Sequence, residues 1–306
     1  MYRDKKLKVE EYQQHIPLFL SNHPSGYVHS VFQNGLNISV GWQLFFIGTT
    51  NYGRNPFGIH LPKEAIHELV SKETQDAPVK WNAEERTLIF PRSKMEIDFN
   101  GAVAFEDKLE KIENEIDDIP QFESFVTELV WNGEPTGLGI DIEQFLLDIG
   151  NGDYNNDQQS FQSTYALMDV LFSDEKDDME NVLRYFIGRG KGLTPSGDDH
   201  LVGLLAIDVI TGAFSPTFSN TIQSLLSKES LTTDVGREYM KYALYGHFSS
   251  DIVHVTHDLF DENPNVDIHE HMVKLLKLGH SSGVDTAFGM LIGMLALRRK
   301  KVWEKR

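Results

Sequence analysis

Two stretches of this chain, SGDDHLVGLL from Ser196 and SGVDTAFGML from Ser282, share Ser-Gly-x-Asp followed by an apolar run with a glycine four residues after the aspartate. Each reads as the start of a helix that is apolar around its whole circumference, and such a helix needs burial on every side. A glycine inside a helix costs about 1 kcal/mol relative to alanine, so Gly203, Gly289 and Gly293 are expected where two helices approach closely. The chain must therefore fold around a central helix pair. Ser196 reads as an N-cap with Asp199 three residues on, a carboxylate variant of the capping box. Asp199 and Asp285 then occupy equivalent places at the positive ends of two helix dipoles, which face a common pocket. A competing interpretation gives Ser-Gly-x-Asp no task beyond capping.

The residues before Ser196 favour a ligand. In GRGKGLTPSG, Gly188, Gly190, Gly192 and Gly197 imply backbone that bends unusually or that something approaches closely. Free amides at a helix start beside such a loop make an anion site. The amides from Gly190 to Gly197 are expected to bind phosphate or carboxylate, with Arg189 or Lys191 adding charge. Gly192 and Gly283 belong to the same two loops, and Thr194, Ser196, Ser281 and Ser282 are expected to donate hydrogen bonds. His280, in the second loop, is the candidate for proton transfer. Asp198, Asp199 and Asp285 complete the catalytic set, and Asp198 with Asp199 suits Mg²⁺, a hard cation that takes oxygen ligands. Arg54, in the small-residue loop TTNYGRNPFGIH from Thr49 to His60, is a further candidate substrate clamp, although an exposed hairpin turn accounts for that loop equally well.

A second polar pattern carries less. His247, Asp251, His254 and Asp258 would line one face of a continuous helix, but Gly246 followed by Ser249 and Ser250 reads as a helix stop and a new N-cap. A solvated face is the better reading than a zinc site.

Composition removes several classes. The 306 residues carry a formal charge of -18 and a pI near 5.0, against a general nucleic-acid binder. There are no cysteines, which excludes disulfides, thiolate zinc sites and thiol nucleophiles. The N-terminus has no apolar segment of the secretory kind, and AFGMLIGMLAL is about half the length needed to cross a bilayer. A cytoplasmic protein without membrane partners is expected.

Along the chain, residues 8–21 read as a short amphipathic helix broken by Pro17. From Tyr27 to Phe105 the pattern is short β-rich runs, VHSVF, LNISV, QLFFIG, TLIF, MEIDF and AVAF, with one helix from Leu61 to Val70. The acidic run EDKLEKIENEIDD, residues 106–118, reads as a domain boundary or a solvated helix. Beyond it the chain is mostly helical, with a loop at 151–160. The expected fold is α+β: a β-rich N-terminal domain over 1–112, then a helical domain over 113–306 that carries both motifs on two central buried helices.

GxGxGLTPSGDDxLxG, here Gly188 to Gly203, resembles the central motif of a bacterial family, DUF2877, whose members include the AllH-type subunit of oxamate carbamoyltransferase in anaerobic allantoin degradation. GHSSGVDTAFG, Gly279 to Gly289, is similar to that family's second motif, LTTDVGREYMKYALYG to its Thr-Thr segment, and VHSVFQNGLNI to the start of its β region. Gly236 departs from the serine expected after the Thr-Thr pair. The resemblance implies exchange of carbamoyl phosphate and oxamate for oxalurate and phosphate, with two further subunits. Two other functions stay open on the residues alone. One is a non-catalytic ligand-binding or scaffold subunit for a synthetase-like partner, and the other a Mg-dependent small-molecule phosphotransferase, for which the P-loop pattern is missing.

Overall fold

The computed structural model describes residues 5–51, 53–113, 118–263 and 265–304. The chain divides into two compact units, 1–107 and 108–306. The fold is α+β, with a β-rich half-barrel sheet followed by a helical region.

The first unit is built on ten strands: β1 (Lys5–Lys8), β2 (Glu11–Gln13), β3 (Ser25–Phe32), β4 (Gly35–Val40), β5 (Gln43–Gly48), β6 (Gly58–His60), β7 (Pro78–Asn82), β8 (Thr87–Phe90), β9 (Met95–Asp98) and β10 (Val103–Phe105). They form one mixed sheet in the order β1-β9-β8-β7-β3-β4-β5-β6-β2-β10. The six expected β runs are all strands. Helices α1 (Ile16–Asn22) and α2 (Lys63–Lys72) pack on this sheet, and Val28, Ile38, Phe45, Ile47, Ile66, Leu69 and Phe90 are buried.

Two expectations are corrected here. Residues 8–21 are not one helix: β2 takes Glu11–Gln13, and Pro17 lies in the first turn of α1 instead of breaking it. Proline suits that turn, where its missing N–H has no intrahelical partner to lose. The small-residue loop after Thr49 likewise ends in strand, because β6 pairs in parallel with β5 and antiparallel with β2.

The second unit is helical: α3 (Phe122–Asn132), α4 (Ile142–Asn151), α5 (Gln159–Val170), α6 (Lys176–Phe186), α7 (Ser196–Thr211), α8 (Pro216–Lys228), α9 (Asp234–Leu244), α10 (Ser250–Phe260), α11 (His269–Leu276) and α12 (Ser282–Glu304). In α7 every residue from Ser196 to Ile207 is buried, and in α12 every residue from Gly283 to Met294. The two pack against each other, with α6, α9 and α10 also against α7 and α3, α5 and α11 also against α12. A Cβ on Gly203 would collide with the Thr286 carbonyl, and one on Gly289 with the His200 carbonyl. The two collisions are mirror images in sequence, because Gly203 and Gly289 hold the same place in the repeat, as do His200 and Thr286. The apolar helices are thus parallel partners, with Gly203 and Gly289 in backbone contact and Gly293 against the Ile207 side chain.

The described residues of the acidic run, 106–113 and 118, are not helical: the Leu109 amide donates to Gly246 O at 2.8 Å and the Ile112 amide to Ile210 O at 2.9 Å. Residues 114–117 of that run lie outside the described residues. No helix among the described residues is long and apolar enough to cross a membrane.

Candidate functional site

The glycine loop runs from the end of α6 to the start of α7 with positive φ at Gly188 (76°), Gly190 (117°) and Gly192 (94°). Its closing bonds are local: the Arg189 amide donates to Phe186 O at 2.9 Å and the Gly197 amide to Arg189 O at 2.8 Å. Asp198 staples this loop. Its Oδ1 accepts from the Gly188 amide at 2.7 Å and its Oδ2 from the Thr232 hydroxyl. Thr233 caps α9 through the Gly236 amide at 2.9 Å and donates to Leu193 O, so the Thr-Thr segment holds the loop at two points. Gly236 now has a reason, since a Cβ there would press into Asp198 Oδ2. Burial pushes the Asp198 carboxyl up to about 6, against the pull of its two donors.

Ser196 is not the N-cap. Pro195 holds that place, with φ -56° and ψ 142°, and no side chain caps the helix. The capping-box expectation fails because Asp199 turns across to the second motif. It accepts from the Ser282 and Thr194 hydroxyls, which lie 3.0 Å from each other. Burial, with Asp285 and Asp198 nearby, raises its carboxyl well above the ordinary range, so it holds a proton where a surface aspartate would not. Its Oδ2 is buried without a hydrogen-bond partner.

Asp285 is fully buried; its Oδ1 accepts from the Gly137 amide at 2.7 Å, and its Oδ2 has no partner. Beneath it lies His200, also fully buried, with Nδ1 2.5 Å from Ser196 O and 3.7 Å from Asp285 Oδ1. Phe186 and Phe288 flank the imidazole. Burial lowers its pKa, the Asp285 charge opposing, and its Nε2 is left unpaired. His200 and Gly137 were not among the sequence candidates. A polar residue inside the apolar run, four residues after Ser196, was the available sign of the first. The short PTGLG segment at 135–139 was the sign of the second.

The remaining candidates divide. Thr194, Ser196, Ser281, Ser282, Asp199 and Asp285 come together at the two helix starts, and the backbones of Gly197 and Gly283 pack on the carbonyls of Phe186 and Leu275. Gly190 packs against the Ser196 amide, 2.6 Å from where its Cβ would stand. Lys191, Gly192 and His280 are exposed. Arg189, in the loop, is drawn back onto the end of α6, over the Tyr185 ring at 4.0 Å and bonded to Tyr185 O at 2.6 Å. Arg54 belongs to the first unit, with its Nε 3.1 Å from Asp107 and its guanidinium over Phe105. Asp198 and Asp199 are adjacent in sequence but bond to different partners, and among the described residues no group of three or more His, Cys, Asp or Glu could hold a metal ion. The His247 pattern is broken as expected, since α9 ends at Leu244 and Ser249 holds the N-cap position of α10 without a side-chain cap bond, but it is not a solvated face, because Asp251 is buried.

The arrangement is two parallel helix starts, hydroxyls from both, and one buried carboxyl from each with an oxygen to spare. It can accept N–H donors and can give or take a proton at Asp199. Residues 186–294 match the family model described as oxamate carbamoyltransferase subunit AllH, and residues 7–105 match the model described as the AllH family N-terminal domain. No solved structure matches the chain.

Proposed function

The chain belongs to the AllH family, and on that footing we propose that it is a subunit of an oxamate carbamoyltransferase-type complex whose ligand sits at the paired starts of α7 and α12. The reaction joins the carbamoyl carbon of carbamoyl phosphate to the oxamate nitrogen: the C–O bond to phosphate breaks, a C–N bond forms, and the nitrogen gives up one proton. Run backwards, phosphate attacks oxalurate and the leaving amide nitrogen takes the proton back. The subunit contributes positioning and proton handling. The glycine-loop amides between Gly190 and Thr194 hold the anionic end of the substrate, Ser196 and Ser281 orient its carbonyls, and Thr194 and Ser282 hold Asp199 in place. Asp199, kept protonated by burial, is the group fitted to exchange the proton. Lys191 and His280, exposed at the two loops, complete the set at the rim.

The observation that carries this reading is the matched pair Asp199 and Asp285, each in the first turn of a buried helix and each with one buried oxygen unpartnered. The test is turnover of carbamoyl phosphate and oxamate by the chain with its partner subunits. Asp199→Asn, which keeps the shape and removes the proton exchange, is expected to lower kcat by about 100-fold. Unchanged kcat would turn the reading toward a ligand-holding subunit without catalytic groups. That alternative has its own support in Asp198, whose two oxygens are both used to hold the loop.

A further inference from the structure

The segment between α3 and α4 brings a third element to the helix starts. Thr136 is buried and closes a tight turn: its carbonyl accepts from the Gly139 amide at 2.8 Å, its hydroxyl from the Ile140 amide at 3.0 Å, and its own amide donates to Ile140 O at 3.0 Å. The turn sets the Gly137 amide on Asp285 Oδ1. A Cβ at Gly137 would fall onto Ser196 Oγ, 2.7 Å from Ser281 Oγ and 2.9 Å from Asp285 Oδ2. Oxygens from both repeated motifs therefore converge on the bare Cα of one glycine.

One of those oxygens lacks a donor. Asp285 is fully buried and its Oδ2 has no hydrogen-bond partner, a state that buried carboxylate oxygens rarely keep. Serine hydroxyls donate or accept as needed, whereas a carboxylate only accepts. What stands at the mouth of the cradle is a peptide, and its N–H already occupies the other carboxylate oxygen. The turn is bracketed by Gly133 and Gly139, both with positive φ (68° and 77°), and no atom packs within 4 Å of a Cβ at Gly139. Lifting the turn means breaking the three Thr136 bonds to Gly139 and Ile140, and Gly133 and Gly139 supply the backbone freedom at either end.

We propose that residues 133–139 form a gate: the Gly137 peptide, bonded to Asp285 Oδ1, covers the unpartnered Oδ2 that a carboxamide N–H of the ligand takes, and the ligand enters as the turn lifts. This rests on the paired helix starts being the ligand site, and it makes Asp285 the residue that distinguishes an amide from a carboxylate. An amide supplies the missing donor to Asp285, while an oxyanion in the same place meets a second carboxylate.

Oxamate and oxalate differ only in that group, so they are the probes, titrated into the full chain with its partner subunits. Wild type is expected to bind oxamate at least about tenfold tighter than oxalate, and Asp285→Asn, which offers a donor of its own, to narrow the ratio below about threefold. Saturating oxamate should speed hydrogen exchange at the Gly137 amide while slowing it across 194–199. Gly137→Ala, which crowds the closed turn without altering any charge, should tighten oxamate binding by about threefold, and it carries the test should Asp285→Asn fail to fold. Oxamate binding with an unchanged ratio in folded Asp285→Asn, with slowed exchange at Gly137, or with weaker affinity in Gly137→Ala would overturn the gate and leave carbamoyl transfer standing. Turnover that fails while these three signatures hold would overturn carbamoyl transfer alone, and absence of oxamate binding would overturn both.

Discussion

Asp198 accepts from the Gly188 amide and the Thr232 hydroxyl, both of which favour its charged form, yet burial still holds its carboxyl up at about 6. The sign of the pH dependence follows. Below about 4 folded and unfolded chains both carry the proton; between about 4 and 6 only the folded chain keeps it, so stability falls as pH rises, and above about 6 the loss levels off. Urea midpoints measured from pH 4 to 7 should therefore fall more steeply in wild type than in Asp198→Asn, by up to about 2 kcal/mol across the window. Parallel curves would mean that the carboxyl is not held neutral. At this scale the sequence was partly legible. The doubled Ser-Gly-x-Asp marked Asp199 and Asp285, but no spacing rule shows that Asp198 turns to the loop while Asp199 turns to Ser282. His200 hid in a run whose neighbours are apolar, and Gly137 in a short segment resembling any turn. Both acquire meaning only when α12 is laid beside α7.

The helix pair was the most legible element, because an interior glycine weakens an apolar helix unless another backbone packs closely against it. It also gives the sharpest stability prediction. Gly203→Ala drives a methyl into the Thr286 carbonyl and to 2.8 Å from the Met290 amide, both backbone atoms that cannot turn aside. Despite alanine's better helix propensity, the variant should lose about 3 kcal/mol or more. Gly150→Ala, in α4 with open space around it, should instead gain a few tenths of a kcal/mol, up to about 1. Equal effects at the two sites in thermal or denaturant melts would contradict the backbone contact. The strands were harder. β2 and β6 have three residues each, too few to show the alternation by which a strand is recognised, and β7 alternates over Val79, Lys80 and Trp81 but opens on a proline that argues against a strand. They are strands because their neighbours in the sheet pair with them.

At the scale of the molecule, the β-rich unit carries one family match and the helical unit the other, and the hydrophobic core of the helical unit runs from Leu109 to Leu297. The functional account concentrates in the helical unit, where two copies of one turn meet face to face. Its central claim is that the two copies serve one ligand. The direct measurement is calorimetric titration of oxamate and of carbamoyl phosphate into the chain with its partner subunits, comparing wild type with Thr194→Ala from the first motif and Ser282→Ala from the second. The account predicts that both variants weaken the same ligand, each by about tenfold, a buried hydrogen bond's worth. Loss in only one of them, or in neither, would contradict a shared site.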